Sequence, residues 1–327
     1  MKLARQINEI PFSKNSTLTV GTFDGFHLAH QKIIKKVVDL ARTRNSRSVV
    51  VTFEPHPREI VENGDSKIQL LTTLQERQDL CEQLGVEWFV VIQFDKIFSN
   101  QSFRDFYITY LINGIGVSAV VEGYNHHWGK NREGTIESLL ELGREFNFDV
   151  ISIEPFTHAG QPVNSSRIRN ELNCGMVENA TELLGRPYRL RGKVITGEGR
   201  GRLLGYPTAN MELDSPKKLI PDNGIYFVKV NVREDEYFGM TSIGVRPTFQ
   251  TTGKRTIEVY ILDFDKDVYG YDLQISFLRR MRNEFKFDSA EQLIQQMNKD
   301  KELSSVLQNE YRHITVNRRS TINFSRS

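Results

Sequence analysis

Residues 21–30 read Gly21-Thr22-Phe23-Asp24-Gly25-Phe26-His27-Leu28-Ala29-His30. Leu18-Thr19-Val20 precede them as a strand-like run, and Ile33, Ile34, Val37, Val38 and Ala41 follow at helical spacing. The stretch is therefore expected to be a turn leading from a strand into a helix. Gly21 and Gly25 let the backbone come close to a ligand, and the free N–H groups at a helix start suit phosphate. His27 and His30, on the first helical turn, can point the same way. Two imidazoles aimed at a triphosphate would stabilise charge developing on the α-phosphorus and on departing pyrophosphate, with no covalent nucleophile needed. On these residues alone, an ordinary helix start with two surface histidines stays open. A zinc site is not expected, because the other His and Cys residues lack ligand spacing.

Outward from this turn, apolar runs at 48–53, 88–94, 117–121 and 149–153 read as strands. Residues 73–85, 103–111 (ending before Gly114) and 137–146 read as helices. Thr73 and Glu76 have capping-box spacing; Leu74, Leu80, Cys81 and Leu84 form a face and Gly85 a stop. Apolar strands alternating with helices predict a doubly wound, Rossmann-like parallel sheet, with ligands beyond the carboxyl ends of its strands. After Leu183-Leu184-Gly185-Arg186-Pro187 the pattern changes. Strand-like runs at 226–232, 240–245, 256–262 and 273–278 have few helices between them, and one long helical pattern spans 290–311. That predicts a small antiparallel β-barrel or sandwich with a C-terminal helix. The expected domains are 1–184 and 185–317, with a basic, flexible tail at 318–327.

A length of 327 residues fits two domains, and 43 Lys and Arg against 41 Asp and Glu give no whole-chain case for nucleic acid. The two cysteines, Cys81 and Cys174, are expected to be free thiols rather than a disulfide scaffold. The opening MKLARQINEIPF lacks the apolar core of a signal peptide, and no run is long enough to span a membrane. A cytoplasmic protein with no membrane partner is the expectation.

A second constellation, residues 197–210, reads GEGRGRLLGYPTAN. Gly199, Gly201 and Gly205, with Arg200 and Arg202 among them, suit a loop that binds phosphate through backbone N–H groups. A long hairpin with glycine bends explains them equally well. It matches neither the P-loop pattern nor a dinucleotide fingerprint. Glu258 stands in the otherwise apolar run 256–264, either as an outward-facing residue or as a base.

GTFDGFHLAH resembles the signature G-x-F-D-G-x-H-x-G-H of bacterial bifunctional riboflavin kinase/FAD synthetases, departing from it at Ala29. Three further segments are similar to that family: TFEPHP at 52–57, Gly123 to Lys130 with Asn125 at an Asn/Asp position, and 164–169, where Asn164 stands for the first serine. Downstream, PTAN at 207–210, IGVRPTF at 243–249 and TIEVYILDF at 256–264 follow in family order. The resemblance implies that ATP is bound by the turn (Gly21, Phe23, Asp24, Gly25), by Asn125, by Ser165, Ser166 and Arg169, and by the glycine loop. It implies Mg²⁺ carried with ATP on Thr208 and Asn210, Glu258 as the general base, and flavin at Arg279, Arg282 and Phe285. For Arg279 and Arg280 a solvated basic face stays open. The implied reactions are phosphorylation of riboflavin to FMN and adenylylation of FMN to FAD, with FMN and FAD as product and substrate rather than prosthetic groups. Two alternatives are a kinase with an impaired adenylyltransferase module, through Ala29 and Asn164, and a non-catalytic flavin- or nucleotide-binding regulator.

Overall fold

The computed structural model describes residues 1–61, 68–124, 133–196, 205–245 and 255–323, with side chains to 313. The chain forms two compact units. The first comprises Met1–Ile168, Leu183–Gly185 and Lys217–Leu219; the second comprises Arg169–Glu182, Arg186–Pro216 and Ile220–Ser327.

The first unit is built on a six-stranded parallel sheet. Its strands are β1 (Lys2–Ala4), β2 (Ser16–Val20), β3 (Arg47–Glu54), β4 (Trp88–Gln93), β5 (Ala119–Gly123) and β6 (Asp149–Ile153), in the order β1-β4-β3-β2-β5-β6. Successive residues of β3 face opposite cores: Val49 and Val51 pack with Val90, Leu111 and Leu139, and Val50 packs with Ile34, Val38 and Phe89. Both faces are therefore covered, as continuous apolar strands require. Helix α1 (Leu28–Thr43) buries Ile34, Val37, Val38 and Ala41. Helix α2 (Pro57–Val61) is one short turn. Helix α3 (Leu74–Gln83) opens on the Thr73/Glu76 capping box read from the sequence. Its face differs from expectation: Arg77 is buried with Cys81, while Leu74, Leu80 and Leu84 pack only partly.

The helix expected to end before Gly114 runs further. Helix α4 (Phe103–Phe106) passes into a π-helix, Tyr107–Ile115, and stops at Gly116 with φ 82°. Tyr107, Leu111 and Ile115, spaced four apart, are the buried residues, and the wide π turn keeps that spacing on one face. A Cβ at Gly116 would lie 2.3 Å from the Ser13 carbonyl oxygen, so glycine is required there. Helix α5 (Ile136–Phe146), capped by Thr135, leads into β6. A small hairpin of β7 (Thr157–His158) and β8 (Gln161–Pro162) precedes α6 (Ser165–Asn173) and α7 (Val177–Leu184).

The second unit contains a closed antiparallel barrel of β9 (Arg189–Ile195), β10 (Ala209–Leu213), β11 (Gly224–Val232), β12 (Asp235–Val245), β13 (Arg255–Ile261) and β14 (Asp272–Arg282). Their order around it is β10-β13-β12-β11-β14-β9. Closure leaves no open edge. Strands β9 and β10 went unread in the sequence. Inward positions of β9 include Gly192, whose Cβ would fall 2.0 Å from the Glu212 carbonyl oxygen, so its alternation lacks one apolar residue. Helix α8 (Ala290–Asn323) seats Leu307 against Phe227, Leu262 and Leu278.

Candidate active sites

In the first unit the strand order reverses between β2 and β5, because the chain builds β3 and β4 on one side of β2 before crossing to β5 and β6 on the other. Such a switch point opens a crevice at the carboxyl ends of the strands. Strands β2 and β5 pair at Thr17–Ala119 and Leu18–Val120. Beyond these pairs, the Val20 N–H donates to the Glu122 carboxylate at 3.0 Å instead. A cleft of about 350 Å³ lies there, walled by Gly21, Phe23, His27, His30, Glu122 and Ser165 among others.

The turn between β2 and α1 is unusual in backbone shape. Phe23 (φ 48°), Gly25 (φ 82°) and Phe26 (φ 45°) all adopt left-handed conformations. For the two phenylalanines this costs on the order of 1–3 kcal/mol each, so the surroundings must hold the turn. Three attachments do so. Phe23 and Phe26 are buried against Ile34, Val50 and Phe89. The Asp24 carboxylate, 2% exposed, accepts from Leu71 N–H and Thr72 N–H at 2.9 Å each and from the Thr72 hydroxyl at 3.2 Å. Arg77 donates to the Thr22 carbonyl and the Thr52 hydroxyl at 2.8 Å each, and pairs with Glu54.

The turn delivers His27 as the N-cap of α1, its Nδ1 accepting from the His30 N–H at 3.4 Å. A neutral His27 accepting at Nδ1 carries its proton on Nε2. The two imidazoles stack with centroids 3.6 Å apart, and Phe23 meets His30 edge-on at 5.3 Å. Ala29 lines the same cleft. Ser165 donates its hydroxyl to the Asp24 carbonyl at 2.9 Å, fixing the start of α6 to the turn. Asn164 caps α6 by accepting from Arg167 N–H at 2.9 Å, so the departure from serine keeps a strong capping residue. Ser166 is exposed, and Arg169 follows one turn on.

Gly21, Phe23, His27, His30 and Ser165 thus share one cleft, whereas Asp24 turns inward and Gly25 N–H donates to the Thr72 hydroxyl. Asn125 lies outside the described residues. Glu122, 1% exposed at the crevice floor, was missed by the sequence reading. Burial, and after it the Glu122 charge, holds the Tyr107 phenol well above its usual range, so it stays protonated.

In the barrel, antiparallel register brings the distant residues together. Asn210 on β10 lies opposite Glu258 on β13, and Glu258 in turn lies opposite Ser242 on β12. Directly opposed residues share a face. Thr208, just before β10, donates to Glu258 Oε2 at 3.4 Å. Ile257, Val259 and Ile261 are buried while Glu258 is half-buried, so Glu258 is an outward residue of the barrel and also a member of this cluster. Hydroxyl, amide and carboxylate oxygens are the hard donors that Mg²⁺ takes, and the set fits such an ion. The Tyr206 hydroxyl is hydrogen-bonded to Asn298 of α8, and burial raises its pKa. Gly205 occupies a left-handed turn at φ 80°; Gly199 and Gly201 lie outside the described residues, as do Arg200, Arg202 and 246–249.

Arg282 lines a second cleft of about 450 Å³. Its guanidinium grips Asp300 through Nε and Nη2 at 2.7–3.1 Å and lies 5.3 Å from the Phe285 ring. Arg279 and Phe285 are exposed.

An α/β domain with its histidines at the switch point, joined to a barrel with an oxygen-rich cluster beside an acid, is the build of a two-module transferase acting on nucleotides. The FAD synthetase family model matches residues 9–167, and the riboflavin kinase family model matches 184–307. The bifunctional riboflavin kinase/FMN adenylyltransferase of Listeria monocytogenes is 36% identical, over 88% of this chain and 91% of that protein. Its Bacillus subtilis counterpart is 35% identical, over 88% and 90%. A solved structure from Streptococcus pneumoniae, described as a macrolide-efflux protein, has a TM-score of 0.85 and 31% identity, covering 93% of this chain and 98% of that one. Among the described residues no helix is long and apolar enough to cross a membrane. The chain belongs to the bifunctional riboflavin kinase/FMN adenylyltransferase family.

Proposed function

We propose that residues 185–317 transfer the γ-phosphoryl group of ATP to riboflavin, giving FMN and ADP. Residues 1–184 then transfer the adenylyl group of a second ATP to FMN, giving FAD and pyrophosphate. The observation that carries this reading is that the Thr208, Asn210 and Glu258 set gathers in the barrel while His27 and His30 stack at the switch point.

In the kinase reaction Glu258 takes the proton of the ribityl 5′-hydroxyl as that oxygen bonds to the γ-phosphorus and the bond to ADP breaks. Thr208 and Asn210 would hold the Mg²⁺ that arrives with ATP, which would supply charge neutralisation at the phosphates. We assign phosphate binding to Gly199, Gly201 and Gly205, and flavin binding to Arg279, Arg282 and Phe285.

In the adenylyl reaction a phosphate oxygen of FMN bonds to the α-phosphorus and pyrophosphate leaves. His27 and His30 stabilise the charge that develops. Gly21 and Phe23 wall the nucleotide, Asn125 is assigned to it by the family resemblance alone, and Asp24 and Gly25 act by shaping the turn. Ser165 already donates to Asp24, so phosphate contacts fall to the backbone N–H groups of α6, to Ser166 and to Arg169. We place both reactions in the cytoplasm, with two free cysteines in support.

One observation favours a second reading, a kinase with impaired adenylyl transfer: the Ala29 methyl lines the nucleotide cleft. Purified protein given riboflavin, ATP and Mg²⁺, with FMN and FAD resolved over time, separates the readings. FMN followed by FAD supports the bifunctional one, FMN alone the impaired module, and neither product a regulator.

A further inference from the structure

We propose that Lys218 is a positioning residue for adenylyl transfer, holding the histidine-bearing turn from a stretch of chain between β10 and β11. The inference rests on the adenylyltransferase reading above. Lys217–Leu219 belongs to the first unit although it follows two barrel strands in sequence. It docks as a short parallel bridge: Leu70 N–H donates to the Lys217 carbonyl at 2.7 Å, and Leu219 N–H donates to the Leu70 carbonyl at 2.8 Å. Lys217 also pairs with Glu59.

Lys218 is 5% exposed. Its ammonium donates to the Leu71 carbonyl at 2.7 Å and to Glu76 Oε2 at 2.5 Å. A charge so deeply buried is tolerated only where its hydrogen bonds are made, so its placement is specific. Each partner leads to the turn. Leu71 and Thr72 donate the backbone N–H groups that hold the Asp24 carboxylate, and the Thr72 hydroxyl accepts from Gly25 N–H at 2.8 Å. Glu76 Oε2 also accepts from Thr73 N–H at 2.8 Å, closing the cap that starts α3. Helix α3 in turn carries Arg77 to the Thr22 carbonyl.

Lys218 therefore ties down the 71–76 backbone that in turn holds Asp24 and Gly25. Phe23 and Phe26 are held in left-handed conformations by that backbone and by the core beneath them. Loosening the backbone lets the turn relax and moves His27 and His30 from the α-phosphorus. Interactions lost mainly in the transition state lower kcat more than they raise KM.

The test uses the full chain and measures FAD formation from supplied FMN for the wild type, Lys218→Met and Glu76→Gln. Riboflavin phosphorylation, and the folded fraction by circular dichroism at the assay temperature, are followed in the same preparations. Lys218→Met is expected to lower kcat for adenylyl transfer by about ten- to a hundredfold, the effect of displacing a catalytic group by a fraction of an ångström to one ångström. KM for ATP and the rate of FMN formation should stay within about threefold, less than the 1.4 kcal/mol that separates a tenfold change. Glu76→Gln keeps the bond to Leu71 and should lose far less. An unchanged kcat in Lys218→Met overturns the proposal, as does a loss matched by a fall in the folded fraction. A wild-type chain that makes no FAD overturns the adenylyltransferase reading itself.

Discussion

In the first unit the histidines come from ten consecutive residues, whereas in the barrel Thr208 and Glu258 meet across 50 residues of sequence. The turn is a local shape that must be held from outside, by Leu71 and Thr72 on Asp24, by Arg77, and by the core around Phe23 and Phe26. The barrel cluster needs no such clamp, because antiparallel register sets Asn210 opposite Glu258 as soon as β10 and β13 pair. Adenylyl transfer should therefore be sensitive to residues that never touch substrate, and phosphorylation mainly to residues within the cluster.

The largest effects should fall on the reacting groups. Glu258→Ala should lower FMN formation by about 10²–10⁴-fold, the usual worth of a general base. Adenylylation of supplied FMN should be spared. His27→Ala should lower FAD formation by about 10²–10³-fold, the scale for removing a group that stabilises transition-state charge, and leave FMN formation intact. Separate assays with riboflavin and with FMN read both.

Next come the clamps. Asp24→Ala leaves the Leu71 and Thr72 N–H groups without the carboxylate that now accepts from them. It should destabilise the first unit by about 2–4 kcal/mol in denaturant unfolding, because each buried group left unsatisfied costs about 1–3 kcal/mol. An equal loss of kinase activity at a temperature where the barrel stays folded would break the contrast between the halves.

The smallest effects concern the two departures from the family pattern. Asn164→Ser exchanges one good N-cap for another and should change stability by no more than a few tenths of a kcal/mol. Ala29→Gly removes one methyl group from the cleft wall, worth about 0.8 kcal/mol, so KM for ATP should shift by no more than about fourfold.

Much of this was legible before the structure. The strand–turn–helix context of Gly21 to His30 is what the structure shows between β2 and α1, and the Thr73/Glu76 spacing marks the start of α3. Glu258 stands out as a lone charge in an apolar strand, and the same signal marks Glu122 in Ala119–Gly123. Other features had no local signal. Arg77 reads as a surface helix residue until its donors meet Thr22 and Thr52, and Lys218 reads as half of a solvated lysine pair until it meets Leu71. Contacts across 55 and 147 residues leave no periodicity in the sequence. Strand β1 was too short to show a pattern, and β9 lost one apolar position to Gly192.

Two separate reaction sets in one chain should fail independently of each other. A product time course for the wild type, Glu258→Ala and His27→Ala, each given riboflavin or FMN with ATP and Mg²⁺, tests this most directly. The wild type should make FMN and then FAD. Glu258→Ala should make FAD only from supplied FMN, and His27→Ala should stop at FMN. If either variant, still folded by circular dichroism, lost both activities, the two-set account would be contradicted.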